Sequence, residues 1–303
     1  MRLASNVALG QLRAEQPGSP EPEASLSLAV ETGPLPVADT ILYQWEGRYR
    51  LTLGRLGGNW LMASSLDGAF LIDVAGRSIR CFVGEPGDPA WLDIFVRRVL
   101  PRVAILFGAT AIHAASAAIG GRALLLMGES GAGKSTLSAA LGAAGWDMLS
   151  DDISILWHPT APRVAPATTG TCVWPDSRIA LGLADDLCAP MPGYDGKMRF
   201  VSGHDTATAP IPLTALVVLE RGTGDEPVIE RISAGEAMGL ASRQRIRFNP
   251  VDPQGKEMLD TFAALGAVAR VTPAYRLSRP MSYAALPAAI ARLREVLEAD
   301  HVL

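Results

Sequence analysis

The sequence predicts an α/β fold with a small antiparallel β-meander at its N-terminal end. Three observations lead there. Between residues 40 and 83, turn dipeptides recur between β-branched and aromatic runs. Between residues 122 and 145, an apolar run, a glycine-rich loop and a helix-patterned segment follow one another. Beyond them, apolar strands and amphipathic helices alternate less regularly to the end of the chain. The 303 residues, 49 % hydrophobic, supply a sizeable core and exclude a wholly disordered chain. The expected layout is a mobile tail over residues 1–25, a meander domain over 26–87 and a main domain over 88–303.

The tail expectation rests on residues 14–24, rich in Pro, Glu, Ser and Gly. The meander is read from Ile41–Trp45 and Arg48–Gly54 around a Glu46-Gly47 turn. Asn59–Ser64 and Ala69–Val74 follow around Asp67-Gly68, and Ala75-Gly76 leads into Ser78–Val83. Asp88-Pro89 opens a predicted helix, since Asp accepts from free N–H groups and Pro suits the first helical position. Trp91, Ile94, Phe95 and Val99 share its inner face, and Pro101 is expected to interrupt it. Two strands follow, Thr110–Ile119 and Arg122–Met127, joined by Gly120-Gly121. Thr214–Glu220 reads as a buried strand. Ser233 to Glu236 is a capping box for a helix reaching about Arg245. A helix over 252–267, weakened by Gly255, and one over 286–299 complete the set.

Charge and cysteines exclude several classes. With 27 basic and 31 acidic residues the net charge is −4, so no nucleic-acid partner is expected. Cys81, Cys172 and Cys188 stand too far apart for a metal motif or a disulfide framework, which fits the cytoplasm. The N-terminal residues lack the apolar region of a secretory signal. The longest apolar stretch, Val103–Ile119, contains Gly108 and His113 and is rich in small residues. It is read as a core segment, and no membrane partner is expected.

The informative segment is Gly128-Glu129-Ser130-Gly131-Ala132-Gly133-Lys134-Ser135, a full match to G-x-x-x-x-G-K-[ST]. Its glycines let the backbone approach an anion, and successive N–H groups at a helix N-terminus converge on phosphate oxygens. Lys134 reaches the terminal phosphates of a nucleotide, the Ser135 hydroxyl suits a Mg²⁺ shell, and Thr136 closes the binding segment. Glu129 is expected to face solvent. A strand precedes this loop and a helix stopping at Gly145 follows it, which is the context the motif requires.

One helix and one strand later, Asp151 and Asp152 interrupt an apolar run. Two adjacent carboxylates there are costly if buried alone. A divalent metal and a proton-accepting role each account for them. Many P-loop NTPases place their metal-binding Asp after further βα units, so hydrolysing motors and GTPases are less favoured and small kinases remain open.

From Ile112 to Ile155 the chain resembles the HPr kinase/phosphorylase family, more closely its HPr-kinase-related branch of bacterial serine kinases. The His113-Ala-Ala segment, the strand, the loop, the single helix and Asp151-Asp152 carry that resemblance. It implies a P-loop core of the HPr kinase / phosphoenolpyruvate carboxykinase type over 88–303. It also implies transfer of the γ-phosphoryl group of ATP to a serine hydroxyl. The acceptor would be a peptide or protein, and a ribosomal precursor peptide is one form the family's relatives use. ATP and Mg²⁺ are the implied cofactors, and a homo-oligomer is the family's common state. The N-terminal meander departs from the founding enzymes, and their C-terminal phosphorylase segment is not found. HPr itself is therefore not the expected substrate.

Phosphoryl transfer needs alignment and charge neutralisation. Lys134 and the loop amides supply the second. Asp151 is expected as the base that takes the acceptor's proton, and Asp152, with Ser135, as metal ligand. The resemblance places His113 beside the loop, where it would tune an Asp carboxylate. Lys197 and Arg199, in a Gly-rich polar segment, are candidates for a phosphate contact. Arg231, Arg243, Arg245 and Arg247 form a basic cluster, read as a solvated face or a dock for an acidic peptide. A small-molecule kinase and a non-catalytic nucleotide-gated regulator are the competing readings.

Overall fold

A computed structural model describes residues 1–9, 12, 24–47, 49–66, 68–84, 90–191, 196–204 and 206–303. Most of the expected tail, Asp67 of one meander turn, the Asp88-Pro89 helix start and residues 192–195 lie outside the described residues. The fold is mixed α/β with several sheets. Among the described residues, no helix is long and apolar enough to cross a membrane.

The first sheet has seven strands: β1 (Arg2–Ser5), β2 (Ser25–Thr32), β3 (Thr40–Trp45), β4 (Leu51–Leu56), β5 (Asn59–Ser64), β6 (Ala69–Asp73) and β7 (Ser78–Val83). Strands β3 to β7 are antiparallel neighbours in chain order. Two expectations change here. Arg2–Ser5 is no tail but a strand, parallel to β2. Strand β2 in turn lies parallel to β7, so the sheet is a meander with a parallel extension. Strand β2 covers the open edge of β7 and β1 covers that of β2, pairings that neighbouring turn signals do not reveal.

Helix α1 (Ala90–Ile94), a π-helical turn over Phe95–Val99 and helix α2 (Leu100–Leu106) lie beneath this sheet. Trp91, Ile94, Phe95 and Val99 pack there with Phe70, Ile72 and Ile79. Pro101 does not interrupt the helix as expected. It sits in the first turn of α2, where its missing N–H breaks no regular bond, and the wide turn before it bonds Leu100 N–H back to Phe95 O.

The main sheet contains β8 (Thr110–Ile112), β9 (Ala115–Ile119), β10 (Arg122–Met127), β11 (Asp147–Ser150), β12 (Ser154–Trp157) and β13 (Arg163–Ala165). The predicted single strand 110–119 is thus two strands. Strand β8 pairs with β12, whereas β9 pairs with β10 and β11, and His113 marks the break. A small sheet of β14 (Thr171–Val173), β15 (Cys188–Pro190) and β16 (Met198–Phe200) stands beside it. The long β17 (Ile211–Arg221) then joins β13 to β10, and β18 (Val228–Ile232) and β19 (Ala274–Arg279) complete nine strands. At its centre β10, β17 and β19 run parallel, so their C-terminal ends open on one crevice.

Helices cover both faces. Ala123, Leu125 and Met127 of β10 pack with α5 (Ala234–Arg243) and α6 (Lys256–Val271) through Ala237, Leu265 and Val268. Leu124 and Leu126 point the other way, to Leu137 and Leu141 of α3 (Lys134–Ala143) and Leu293 and Leu297 of α7 (Leu286–Ala299). A strand buried on both faces reads as the unbroken apolar run seen in the sequence. Truncating one such leucine to alanine costs about 2–5 kcal/mol.

Two boundaries differ from expectation in detail. The Ser233 hydroxyl accepts from Glu236 N–H as a cap, and α5 ends at Arg243. Helix α6 starts four residues later than predicted, at Lys256. Gly255 stands before it with φ +65° rather than inside it, and the Asp252 carboxylate accepts from Glu257 N–H across that turn.

Candidate functional site

The site forms where the loop 128–133 leaves β10 and enters α3. Gly128 takes φ +152°, and a Cβ there would sit 2.7 Å from Leu219 O. Gly133 takes φ +84° as the residue capping α3, and a Cβ there would land on the Arg279 guanidinium. These two positions need glycine for both conformation and space. Lys134 is buried and donates to Gly128 O at 2.6 Å and Glu129 O at 3.2 Å, so its ammonium lies inside the loop's curve. Burial lowers its pKa from the ordinary value, and the Asp152 carboxylate opposes that shift. Ser135 and Thr136 open α3, and Thr136 Oγ1 lies 3.4 Å from Ser177 Oγ. Glu129 and Ser130 are exposed, and Ala132 is buried under the loop.

Two arginines absent from the expected site meet this loop. Arg221, at the end of β17, donates to Gly131 O at 3.2 Å. Arg279, at the end of β19, is 2 % exposed, and its Nε has no hydrogen-bond partner. Its Nη1 donates to Pro280 O at 3.1 Å, and among the described residues it makes no ion pair. Burial alone lowers its pKa. A buried cation without a counter-charge, packed against a glycine that has no room for a methyl group, marks a place where an anion fits. Nothing in the sequence marks the strand that carries Arg279 or ties it to a loop about 150 residues earlier.

Small-molecule sites span about 300–1,000 Å³, and a cavity of ≈ 480 Å³ opens beside the loop. Gly128, Ser130, Arg221, Arg243 and Gln244 are among its lining residues. Gln244 O also accepts from the backbone N–H of His113, so His113 stands at the same margin.

The two adjacent aspartates separate completely. They follow β11 in a bend, and their side chains turn to different partners. Asp151 is buried, with its side chain 3 % exposed. Arg97 donates to its Oδ1 at 2.7 Å and the Cys172 backbone N–H to its Oδ2 at 2.8 Å. Arg97 also donates to Asp93 at 2.9 Å, and Arg199 stands 3.7 Å from the same Asp93 oxygen. Burial opposes the charge on Arg97, but Asp151 and further acidic groups hold its pKa well above the ordinary value. Burial, with Asp151 beside it, pushes the Cys172 thiol up as well.

Asp152 keeps its side chain 23 % exposed. Arg98 pairs with it at 2.8 Å and His113 Nδ1 lies 3.1 Å from its other oxygen. Burial would raise its pKa, but Arg98, then His113, then Arg97 outweigh that and hold the carboxyl well below the usual range. The π-helical turn makes this possible, since it aims consecutive residues, Arg97 and Arg98, at the two consecutive aspartates.

The two aspartates are placed differently: Asp151, expected as base, has both oxygens engaged in a buried ionic cluster, and Asp152, expected as metal ligand, is held by Arg98 and His113 but stays partly exposed. Arg199, expected as a phosphate contact, turns into that same cluster. Lys197 stands over the Trp174 ring at 5.0 Å. The basic cluster is not gathered either. Arg243 lines the loop cavity, Arg245 stands over Phe262, Arg247 donates to Asn249 O, and Arg231 faces Asp300 at 3.9 Å. Among the described residues, no group of three His, Cys, Asp or Glu side chains could hold a metal alone. Mg²⁺ typically takes one or two carboxylates and completes its shell from phosphates and water, so a single open Asp and Ser135 fit it.

No protein-family model matches the chain, and none of the curated proteins does. Among solved structures, the chain is similar to the Hpr(Ser) kinase/phosphatase from Coxiella burnetii at 15 % identity, covering 63 % of this chain and 98 % of that one. The TM-score is 0.33, too low for any functional conclusion to rest on it.

Proposed function

We propose that this chain is an ATP-dependent phosphotransferase that moves the γ-phosphoryl group to a serine hydroxyl of a peptide or protein. The observation that carries the proposal is the glycine loop closing on the uncompensated Arg279, with the half-open Asp152 nearby. Backbone N–H groups of 129–135, Lys134 and Arg279 would bind the phosphates and neutralise charge on the transferring group. Ser135 would help to hold Mg²⁺, which when bound would supply charge stabilisation.

Asp152 would orient the acceptor hydroxyl and accept its proton. A carboxyl with a depressed pKa is a weak base, which suits a loose transition state in which the proton leaves late. His113 and Arg98 would hold Asp152 in place from its two oxygens. Asp151 would act behind this centre, fixing the bend through Arg97. Residues 88–303 would then form the transferring domain, and the N-terminal sheet would sit against it through the Arg97–Arg98 turn.

Incubation with [γ-³²P]ATP, Mg²⁺ and a panel of serine peptides tests the proposal. It predicts label in alkali-labile phosphoserine. Nucleotide binding without transfer across a broad panel of peptides, proteins and small hydroxyl compounds would contradict it.

A further inference from the structure

Beyond Asp152, on the side facing the N-terminal sheet, lies a second cavity. Its volume is ≈ 310 Å³, and Trp45, Glu46, Tyr49, Leu51, Arg98 and Arg102 line it. Arg98 joins the two places. One of its nitrogens pairs with Asp152 at 2.8 Å, and another donates to Tyr49 Oη at 3.1 Å. A molecule seated in this cavity is therefore one guanidinium away from the open carboxylate.

Arg102 is the unusual member. It is 7 % exposed, yet among the described residues no carboxylate pairs with it. It donates to Arg98 O at 2.9 Å, its guanidinium lies over the Trp45 ring at 4.8 Å, and its Nε has no partner. Burial and the neighbouring Arg98 push its pKa down to about 10. Glu46 is not the missing counter-charge, because it pairs with Arg50 at the exposed rim. A buried guanidinium left without an acid costs stability, and a carboxylate arriving from outside would relieve that cost. The planar fork of Arg suits a carboxylate, and stacking on Trp45 holds it ready.

We infer that this cavity is an acceptor subsite that takes a carboxylate lying close in sequence to the serine to be modified. This rests on the proposed phosphotransfer at Asp152 and narrows its substrate to an acidic peptide. The cavity is small enough for one side chain, and the hydroxyl would lie on the Asp152 side of Arg98.

Binding of short labelled peptides, followed by fluorescence anisotropy, tests this without requiring turnover. Both ends are blocked, and a central serine is flanked by glutamates in one peptide and by glutamines in the other. The wild-type protein is expected to bind the glutamate peptide about tenfold or more tightly, as a charge-assisted contact gives. Arg102→Gln is expected to bring the two affinities together, and Arg292→Gln, on the exposed face of α7 and outside this cavity, to leave the preference in place. The glutamine peptide with a free C-terminal carboxylate reports the other source of the same group.

Equal binding of the blocked peptides by the wild type would overturn the inference. So would a folded Arg102→Gln protein that keeps the preference. Should Arg102→Gln fail to fold, Arg102→Lys decides: a preference reduced severalfold supports the forked contact, and an unchanged one overturns it. Absence of phosphoryl transfer with the glutamate preference intact would sink the catalytic proposal but not the subsite.

Discussion

Asp151 and Asp152 are neighbours in the chain and belong to different regions of the molecule. Behind the bend, Asp151, Arg97 and Asp93 form a buried ionic cluster whose carboxylate oxygens are occupied by guanidinium and backbone donors. In front of it, Asp152, Arg98 and His113 form a half-open cluster beside the glycine loop. The charges are alike, and the burial is not. A buried pair that loses one member leaves a bare charge in a poor solvent, whereas an open one is rescued by water. On the proposed reading, the first cluster holds shape and the second takes part in the reaction.

The largest effect expected from that contrast is on stability. Arg97→Met should lower it by about 3–5 kcal/mol, because Asp93 and Asp151 are left buried without their cation. Arg98→Met should cost about 1 kcal/mol or less, as for a solvated pair. Urea unfolding of the two variants measures both, and equal losses would erase the distinction between the clusters.

Next comes Arg279. Its charge is buried without an acid, so Arg279→Gln should leave stability unchanged or raise it. It should also weaken ATP binding by about tenfold or more, measured by calorimetric titration. A variant that is destabilised and binds ATP normally would make Arg279 a structural residue like Arg97.

Much of this arrangement was legible in the sequence, and the reason is local. The glycine loop, its flanking strand and helix, the Ser233 cap and helix α7 are each set by residues within a few positions of one another. So was the proximity of His113 to an aspartate, though only through a family resemblance. What could not be read depends on distant partners. The parallel docking of Arg2–Ser5 on β2 has no turn signal. The different surroundings of Asp151 and Asp152 come from Arg97 and Arg98, which the π-helical turn aims from about fifty positions away in the sequence. Arg279 and Arg102 look like ordinary surface arginines until burial removes their water.

The smallest expected effect is on pH dependence. The folded pKa of Asp152 lies below its unfolded value, about 3.9. Its pairing therefore contributes stability that is fully present above that pH and is lost as pH falls through the folded pKa. The stability difference between wild type and Asp152→Asn should stay level from about pH 5 to 7 and shrink below about pH 4. A difference that changed between pH 5 and 7 would mean that His113, rather than Arg98, is the main partner of this carboxylate.

The most direct measurement is single-turnover transfer from [γ-³²P]ATP to an accepted serine peptide by Asp152→Asn, with ATP affinity and urea stability recorded on the same protein. The expected result is a folded, ATP-binding variant whose transfer is slower by about 10²–10⁴-fold. Transfer at the wild-type rate would contradict the assignment of the open carboxylate to the reaction.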